Sequence, residues 1–215
     1  MTVQEIKNNL KKFDRKQLYK DKVAKMQRSM EHLGVDGIIC FKPQNTFFLS
    51  GFNPVLYSHP VVVIVPREGD AVLLVHSLRA RHSADEAAID DIRLFGMWAN
   101  QKPIANDAYT AIGIIADDLK LKGKVIGYEG DFISLSQYQK IQGITNAPKM
   151  VDVSDFLKRS RNIKDEYEIN LLRLSSYLTN VGMDVALQNI RKSEAEASIS
   201  AEIAMRETWA KELSE

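Results

Sequence analysis

Residues 60–75, PVVVIVPREGDAVLLV, constrain the fold of this chain more than any other segment. The run 60–66 is continuously apolar and mostly β-branched, as expected of a strand covered on both faces rather than one with a wet side. Residues 67–70 (REGD) carry turn chemistry around Gly69, and 71–75 (AVLLV) read as a second strand, so the pair predicts a β-hairpin. A chain with this hairpin needs layers on both sides of its sheet, and at least two of its strands are antiparallel.

The remaining pattern supplies those layers. Residues 1–33 read as helical, with Val23, Met26, Met30 and Leu33 spaced three and four apart along one face and Gly34 as a left-handed stop. The first dozen residues, polar and lysine-rich, read as a loosely docked extension. Residues 36–41 (DGIICF) predict a short buried strand, 42–45 a turn around Pro43, 83–88 a short helix and 92–95 another strand. A helix follows over 106–121, with Asn106 as N-cap and Gly123 behind it. Strand 124–128 (KVIGY), a helix from Ser134 to 141 and a short strand 150–153 leading into 154–161 complete an alternation typical of an α/β layer. The expected fold class is α/β, a mixed sheet with helices on both faces.

Beyond this the character changes. Residues 165–190 form a long helical pattern, with Ile169, Leu172, Tyr177, Val181, Val185 and Leu187 on or beside one face. The SEAE at 193–196 fits a capping box opening a last helix. The expected boundary lies near 155–162, dividing a domain at 1–158 from a linker and terminal helices at 159–215. Helices without strands of their own cannot build a separate core. Their apolar positions Ile169, Leu172, Ile199 and Ile203 therefore predict self-association.

Composition narrows the function classes. The 29 Lys+Arg nearly balance 28 Asp+Glu, which gives no global pull on nucleic acid or an anionic membrane. No apolar run approaches the ~20 residues that span a bilayer. The single cysteine, Cys40, excludes an internal disulfide and suits a reducing cytoplasm.

No Walker loop, GxGxxG, GxSxG, HExxH or CxxC is present. Cys40, inside an apolar strand, reads as inert core filler. His32 reads as a surface residue near a helix end, and His76 and His82 as exposed at and after a strand end, with no third ligand at zinc spacing. Asp107 and Asp118, eleven apart, fall in a helical pattern, where ~16 Å of rise separates them too far to share a metal; they read as a solvated face. Lys158, Arg159 and Arg161 read as a surface or interdomain contact.

Four segments in order carry a resemblance: GVDGIICFKPQNTFFLSGF (34–52), the hairpin, KVIGYEGDFIS (124–134) and MVDVSDFLKRSRNIKDEYEINLLRLSS (150–176). Together they are similar to the N-terminal domain of the creatinase / Xaa-Pro aminopeptidase / prolidase family. The resemblance implies a ribonuclease-H-like domain to about residue 155, followed by the first helices of a catalytic pita-bread domain. In that family the catalytic domain holds a Mn, Co or Zn pair on two Asp, one His and two Glu, or works without metal in creatinase itself. The resemblance puts all those positions past residue 215, with no metal ligand and no cofactor in this chain. The segment from Ser50 to Pro60 is similar to a family loop that reaches the partner subunit's active site. By that likeness Tyr57 and His59 are substrate-contacting candidates, and Phe52 a packing anchor beneath them. The family's arginine is replaced here, and the plainer alternative is that Tyr57 and His59 are ordinary exposed loop residues. GMWANQ (96–101) leans toward the creatinase-like branch.

The resemblance implies a non-catalytic, substrate-shaping, dimer-forming domain of a hydrolase that cleaves a C–N bond. Its partners would be its own catalytic domain and a second copy of itself, with neither nucleic acid nor membrane. The alternative is a stand-alone protein-binding or scaffolding module of the same fold. A reading frame continuing with Asp, Asp, His, Glu, Glu would favour the first, a stop codon the second.

Overall fold

The computed structural model describes residues 2–56 and 58–213. Its elements in chain order are α1 (Val3–Leu10), α2 (Arg15–Leu33), β1 (Gly37–Cys40), α3 (Pro43–Ser50), β2 (Val62–Pro66), β3 (Val72–His76), a 3-10 turn at Ser77–Arg79, α4 (Ala80–Glu86), β4 (Asp91–Phe95), α5 (Ala108–Asp118), β5 (Ile126–Tyr128), α6 (Leu135–Thr145), β6 (Met150–Asp152), α7 (Ser154–Ser160), α8 (Glu166–Asn189) and α9 (Glu194–Thr208). They fall into two compact units, Arg15–Asn162 and a second made of Met1–Asp14 with Ile163–Glu215.

The larger unit is built on a six-stranded mixed sheet of order β4-β3-β2-β1-β5-β6. The hairpin forms as the sequence predicts, with β2 antiparallel to both β3 and β1. The pairs β1/β5, β3/β4 and β5/β6 are parallel. Every residue of β2 is buried, because alternate side chains feed two cores. Val62 and Ile64 join Ile39, Leu74 and the apolar face of α5 (Ala111, Ile112, Ile115) and Ile141 of α6. Val63 and Val65 point the other way, with Ile38, Cys40 and Leu73, into Val23, Met26 and Met30 of α2, Leu49 of α3 and Leu157 of α7. Helices thus cover both faces, and a half-polar strand could not occupy the β2 position. The outer edge at β4 is managed by charge and cover. Arg93 bonds Asp91 and Asp118, and the 104–105 segment exchanges backbone bonds with Leu94 and Gly96.

Several sequence expectations need correction. The 1–33 helix is two helices, since the chain leaves α1 at Lys11 and restarts at Arg15. The turn expected at 42–45 is the start of α3, where Pro43 occupies the first helical turn; its lacking N–H would be unpaired there anyway. The N-cap of α5 is Asp107, not Asn106, accepting from the Tyr109 and Thr110 amides. The short helix expected at 83–88 begins earlier, at Ala80, and ends at Glu86.

The smaller unit contains α1, α8 and α9. The N-terminal segment is not a loose extension: Thr2 and Glu5 form a capping box on α1, Ile6 is buried, and α1 packs on α8. Phe13 meets Tyr167 edge-on at 5.8 Å. Asp165 caps α8 through the Glu168 amide. Gly182 lets α9 approach, since a Cβ there would meet the Met205 sulfur at 2.8 Å. Ser193 caps α9 by accepting from the Glu196 amide, but the Glu196 carboxylate receives the Ser193 hydroxyl instead of closing the expected box. Leu172, Ile199 and Ile203 are more than half exposed, whereas Ile169 is partly covered. Among the described residues no helix is long and apolar enough to cross a membrane.

Candidate functional site

β1, β3, β4, β5 and β6 all end on one edge of the sheet, and β2 starts there. This carboxyl edge, at the point where β1 has a parallel neighbour on one side and an antiparallel one on the other, is where open α/β sheets gather ligand-facing loops. The segment between α3 and β2 lies on it.

The start of that segment is firmly anchored. Gly51 ends α3 in the left-handed conformation, at φ 68, and its carbonyl accepts from Arg15 at 2.6 Å. Phe52 is fully buried and meets His82 edge-on at 5.0 Å. His82 pairs with Glu86 at 3.0 Å, and the same carboxylate accepts the Asn53 amide at 3.3 Å. Phe52 is thus the packing anchor that the resemblance implies.

The far end is held by a second cluster. The His59 ring stacks on His76, centroids 4.0 Å apart and planes at 25°. His76 in turn meets Phe95 edge-on, and its Nδ1 accepts the Leu78 amide at 3.1 Å. Arg79, from the turn that this bond caps, donates to the Leu56 carbonyl at 3.1 Å. Between the two anchors Val55 and Leu56 are 75% and 69% exposed. Met97 and Trp98, directly after β4, are also largely exposed. Burial lowers the pKa of His76, and the neighbouring His59 charge lowers it further. Tyr57 lies outside the described residues.

Gly96 fits against the His76 ring, where a Cβ would collide with the imidazole, and its φ of +73 disfavours any side chain. Gly96→Ala is expected to cost about 2 kcal/mol from positive φ and ring displacement together. Urea denaturation, followed with the His76 ring titration, checks both parts.

A different chemistry sits at the ends of β1 and β5. Glu129 is wholly buried; its carboxylate accepts the Phe41 amide at 2.6 Å, the Lys42 amide at 2.8 Å and the Asn45 side-chain amide at 2.6 Å. Burial pushes its pKa up, and the three donors pull only part of the way back. The sequence contains this glutamate in the KVIGYEGDFIS segment but gives no sign of its partners. Beside it, burial alone would raise the Asp152 carboxyl. Bonds from Ser154 and the Gly130 amide outweigh that and hold it below the usual range.

The other singled-out residues take structural places. Cys40 is fully buried and its thiol is pushed up, first by burial and then by Glu129. His32 is exposed. Asp107 is a helix cap, and Asp118 bonds Arg93, so the pair is not simply a solvated face. Among the described residues no three His, Cys, Asp or Glu side chains are placed to hold a metal ion.

The family model described as the Creatinase/Prolidase N-terminal domain matches residues 22–163. The Xaa-Pro dipeptidase of Pyrococcus furiosus is 20% identical over 185 residues, covering 86% of this chain and 47% of that protein. An Xaa-Pro dipeptidase structure from Bacillus anthracis superposes with a TM-score of 0.69 at 18% identity, over 88% of this chain and 49% of the other. A separate Creatinase/Prolidase N-terminal domain of an X-Pro dipeptidase from Streptococcus pyogenes aligns along 98% of its length and 65% of this chain, with a TM-score of 0.52 at 16% identity. The chain spans about half the length of the curated relatives it matches.

Proposed function

Since the chain belongs to the Creatinase/Prolidase N-terminal domain family, we propose that it is the substrate-shaping, dimer-forming portion of an Xaa-Pro peptidase-like hydrolase that cleaves a C–N bond. The observation that carries this is the anchored segment on the carboxyl edge. Phe52 and Glu86 hold one end and His76 and Arg79 the other, while Val55 and Leu56 project into solvent. A segment fixed at both ends with an apolar tip suits insertion beside another protein surface, because little ordering entropy remains to be lost on contact. In this reading Tyr57 and His59 touch a substrate held by the partner subunit, and His59 can donate a hydrogen bond or, protonated, a charge.

In this proposal the divalent metal pair (Mn, Co or Zn) belongs to the family's catalytic domain, as the resemblance implies. The exposed Leu172, Ile199 and Ile203 would then face the catalytic domain or a second copy. A reducing, cytoplasmic setting is in keeping with the free, buried Cys40.

The test is direct. The purified 215-residue chain is expected to release no proline from Xaa-Pro dipeptides, and to leave creatine intact, with or without Mn²⁺, Co²⁺ or Zn²⁺. Metal-dependent turnover would overturn the non-catalytic assignment. Light scattering is expected to show association that grows with concentration, and a clean monomer at high concentration would count against the dimer-forming part.

A further inference from the structure

His76 joins three contacts that all depend on the protonation state of one ring. Its Nδ1 accepts the Leu78 amide and so caps the Ser77–Arg79 turn. That turn aims Arg79 at the Leu56 carbonyl. The face of the same ring carries His59 at 4.0 Å. Accepting from Leu78 requires a bare Nδ1, so neutral His76 carries its proton on Nε2.

We infer that His76 is a proton-operated tether: neutral, it holds Leu56, Ser58 and His59 on the carboxyl edge; one proton on its ring releases Leu56, and a second, on His59, frees His59 and Ser58. A protonated Nδ1 would set its own N–H against the Leu78 N–H, two donors with no acceptor between them. The turn then loses its cap, and Arg79 its aim at Leu56. The stack fails when both rings are charged, because two cations then face each other at 4.0 Å. Ser58 Oγ, 3.1 Å from His59 Nδ1, can accept from a protonated His59, so that ring has a partner for its proton, while among the described residues His76 has none.

The charged groups of the neighbouring elements do not offset this. Arg79 on the turn is itself a cation. On α4, Glu86 is engaged by His82 and the Asn53 amide. On β4, Arg93 is bonded to Asp91 and Asp118. Among the described residues no carboxylate pairs with either stacked ring. The lowered pKa of His76 agrees in sign: the folded protein favours the neutral ring, so the stability this cluster contributes is present above the ordinary imidazole range and lost as pH falls through the folded value. The other anchor does not run through the His76 ring: Phe52 is buried against His82, and Glu86 accepts the Asn53 amide. The segment therefore loosens beyond Pro54 while Phe52 and Asn53 stay in place. The tether is a property of this chain alone; only its consequence, that acid withdraws a partner-contacting segment, rests on the proposed function.

The experiment is an NMR titration of the full chain, labelled at histidine and backbone nitrogen, from pH 8 to pH 5, and it needs no partner or substrate. The His76 ring is expected to titrate below the ordinary imidazole range. The Leu56 and Leu78 amide signals should move with the His76 midpoint, and Leu78 exchange, corrected for its intrinsic rate, should rise at least tenfold across it. His76→Asn keeps a side-chain acceptor for the Leu78 amide but has nothing to titrate, so both amides should become flat over this range. His59→Phe keeps an aromatic ring to stack and removes the second charge, so the His76 midpoint should rise. Amides that stay still in the wild type, that follow His82, or that still move in His76→Asn would overturn the tether. If His76→Asn does not fold, an unchanged His76 midpoint in His59→Phe overturns it.

Discussion

Replacing Glu129 by leucine is expected to remove about 3 kcal/mol or more of folding stability, because it strands three buried donors at once. The Phe41 and Lys42 amides and the Asn45 side-chain amide all end on this carboxylate, and no water can reach a group of zero exposure. For a unit of this size the loss corresponds to a fall in Tm on the order of 10 °C. Glu129→Gln should behave very differently. Its carbonyl oxygen can accept both backbone amides, and its new NH₂ has a waiting partner: Asn45 Oδ1 is buried without a hydrogen bond, and rotating that amide presents it to the glutamine. The two variants also differ with pH. The folded pKa of Glu129 is raised, so the native state binds its proton more tightly than the unfolded chain does, and this residue's contribution is largest below the ordinary carboxylate range. That contribution fades as pH rises through the folded value. Urea midpoints of wild type, Glu129→Leu and Glu129→Gln between pH 4.5 and 7.5 test both points. The glutamine variant should lie close to wild type or above it at neutral pH, with a flatter pH dependence. A leucine variant as stable as wild type would show that the carboxylate pins nothing.

Glu129 also shows where the sequence stops being legible. Its donors lie 84 to 88 residues away in the chain, and nothing local marks the glutamate as the group that closes the β1–α3 turn. The stacked histidines are hidden for the same reason. His59 and His76 are separated by a whole strand and turn, and only antiparallel pairing brings their ends together. What could be read was local or periodic. The β-branched run announces a strand buried on both faces, and Ser134 announces a helix through its own side chain. The departures are local too, but turn on competing local rules. Pro43 signals a turn and a helix start equally well, and the buried face that decides for α3, Leu49 above all, is a tertiary fact. Likewise the polar opening of the chain looked unanchored, because the partner of Ile6 and Phe13 is a helix some 150 residues on. Of the candidate site, Phe52 and His59 are singled out by the resemblance alone, and neither composition nor spacing points to them.

The second large effect separates the anchor of the edge segment from its tip. Phe52→Ala is expected to cost about 3–5 kcal/mol, the usual range for emptying a fully buried aromatic site. The Phe52 ring lies under the segment and against His82, so the cavity would also free Glu86 from its position opposite the Asn53 amide. Leu56→Glu and Trp98→Glu alter side chains that are 69% and 52% exposed, and folding stability should change by no more than about 0.5 kcal/mol. If this edge meets a second protein surface, those same two substitutions bury a charge in that contact and should weaken association through it. The expected pattern is therefore reciprocal. Phe52→Ala lowers the denaturation midpoint, and its association weakens only as far as folding does. Leu56→Glu and Trp98→Glu leave the midpoint in place and weaken association by light scattering, leaving only what the terminal helices contribute. Charged-tip variants that associate as well as wild type would remove the edge from the dimer-forming proposal, and with it the reason for holding an exposed apolar segment at both ends.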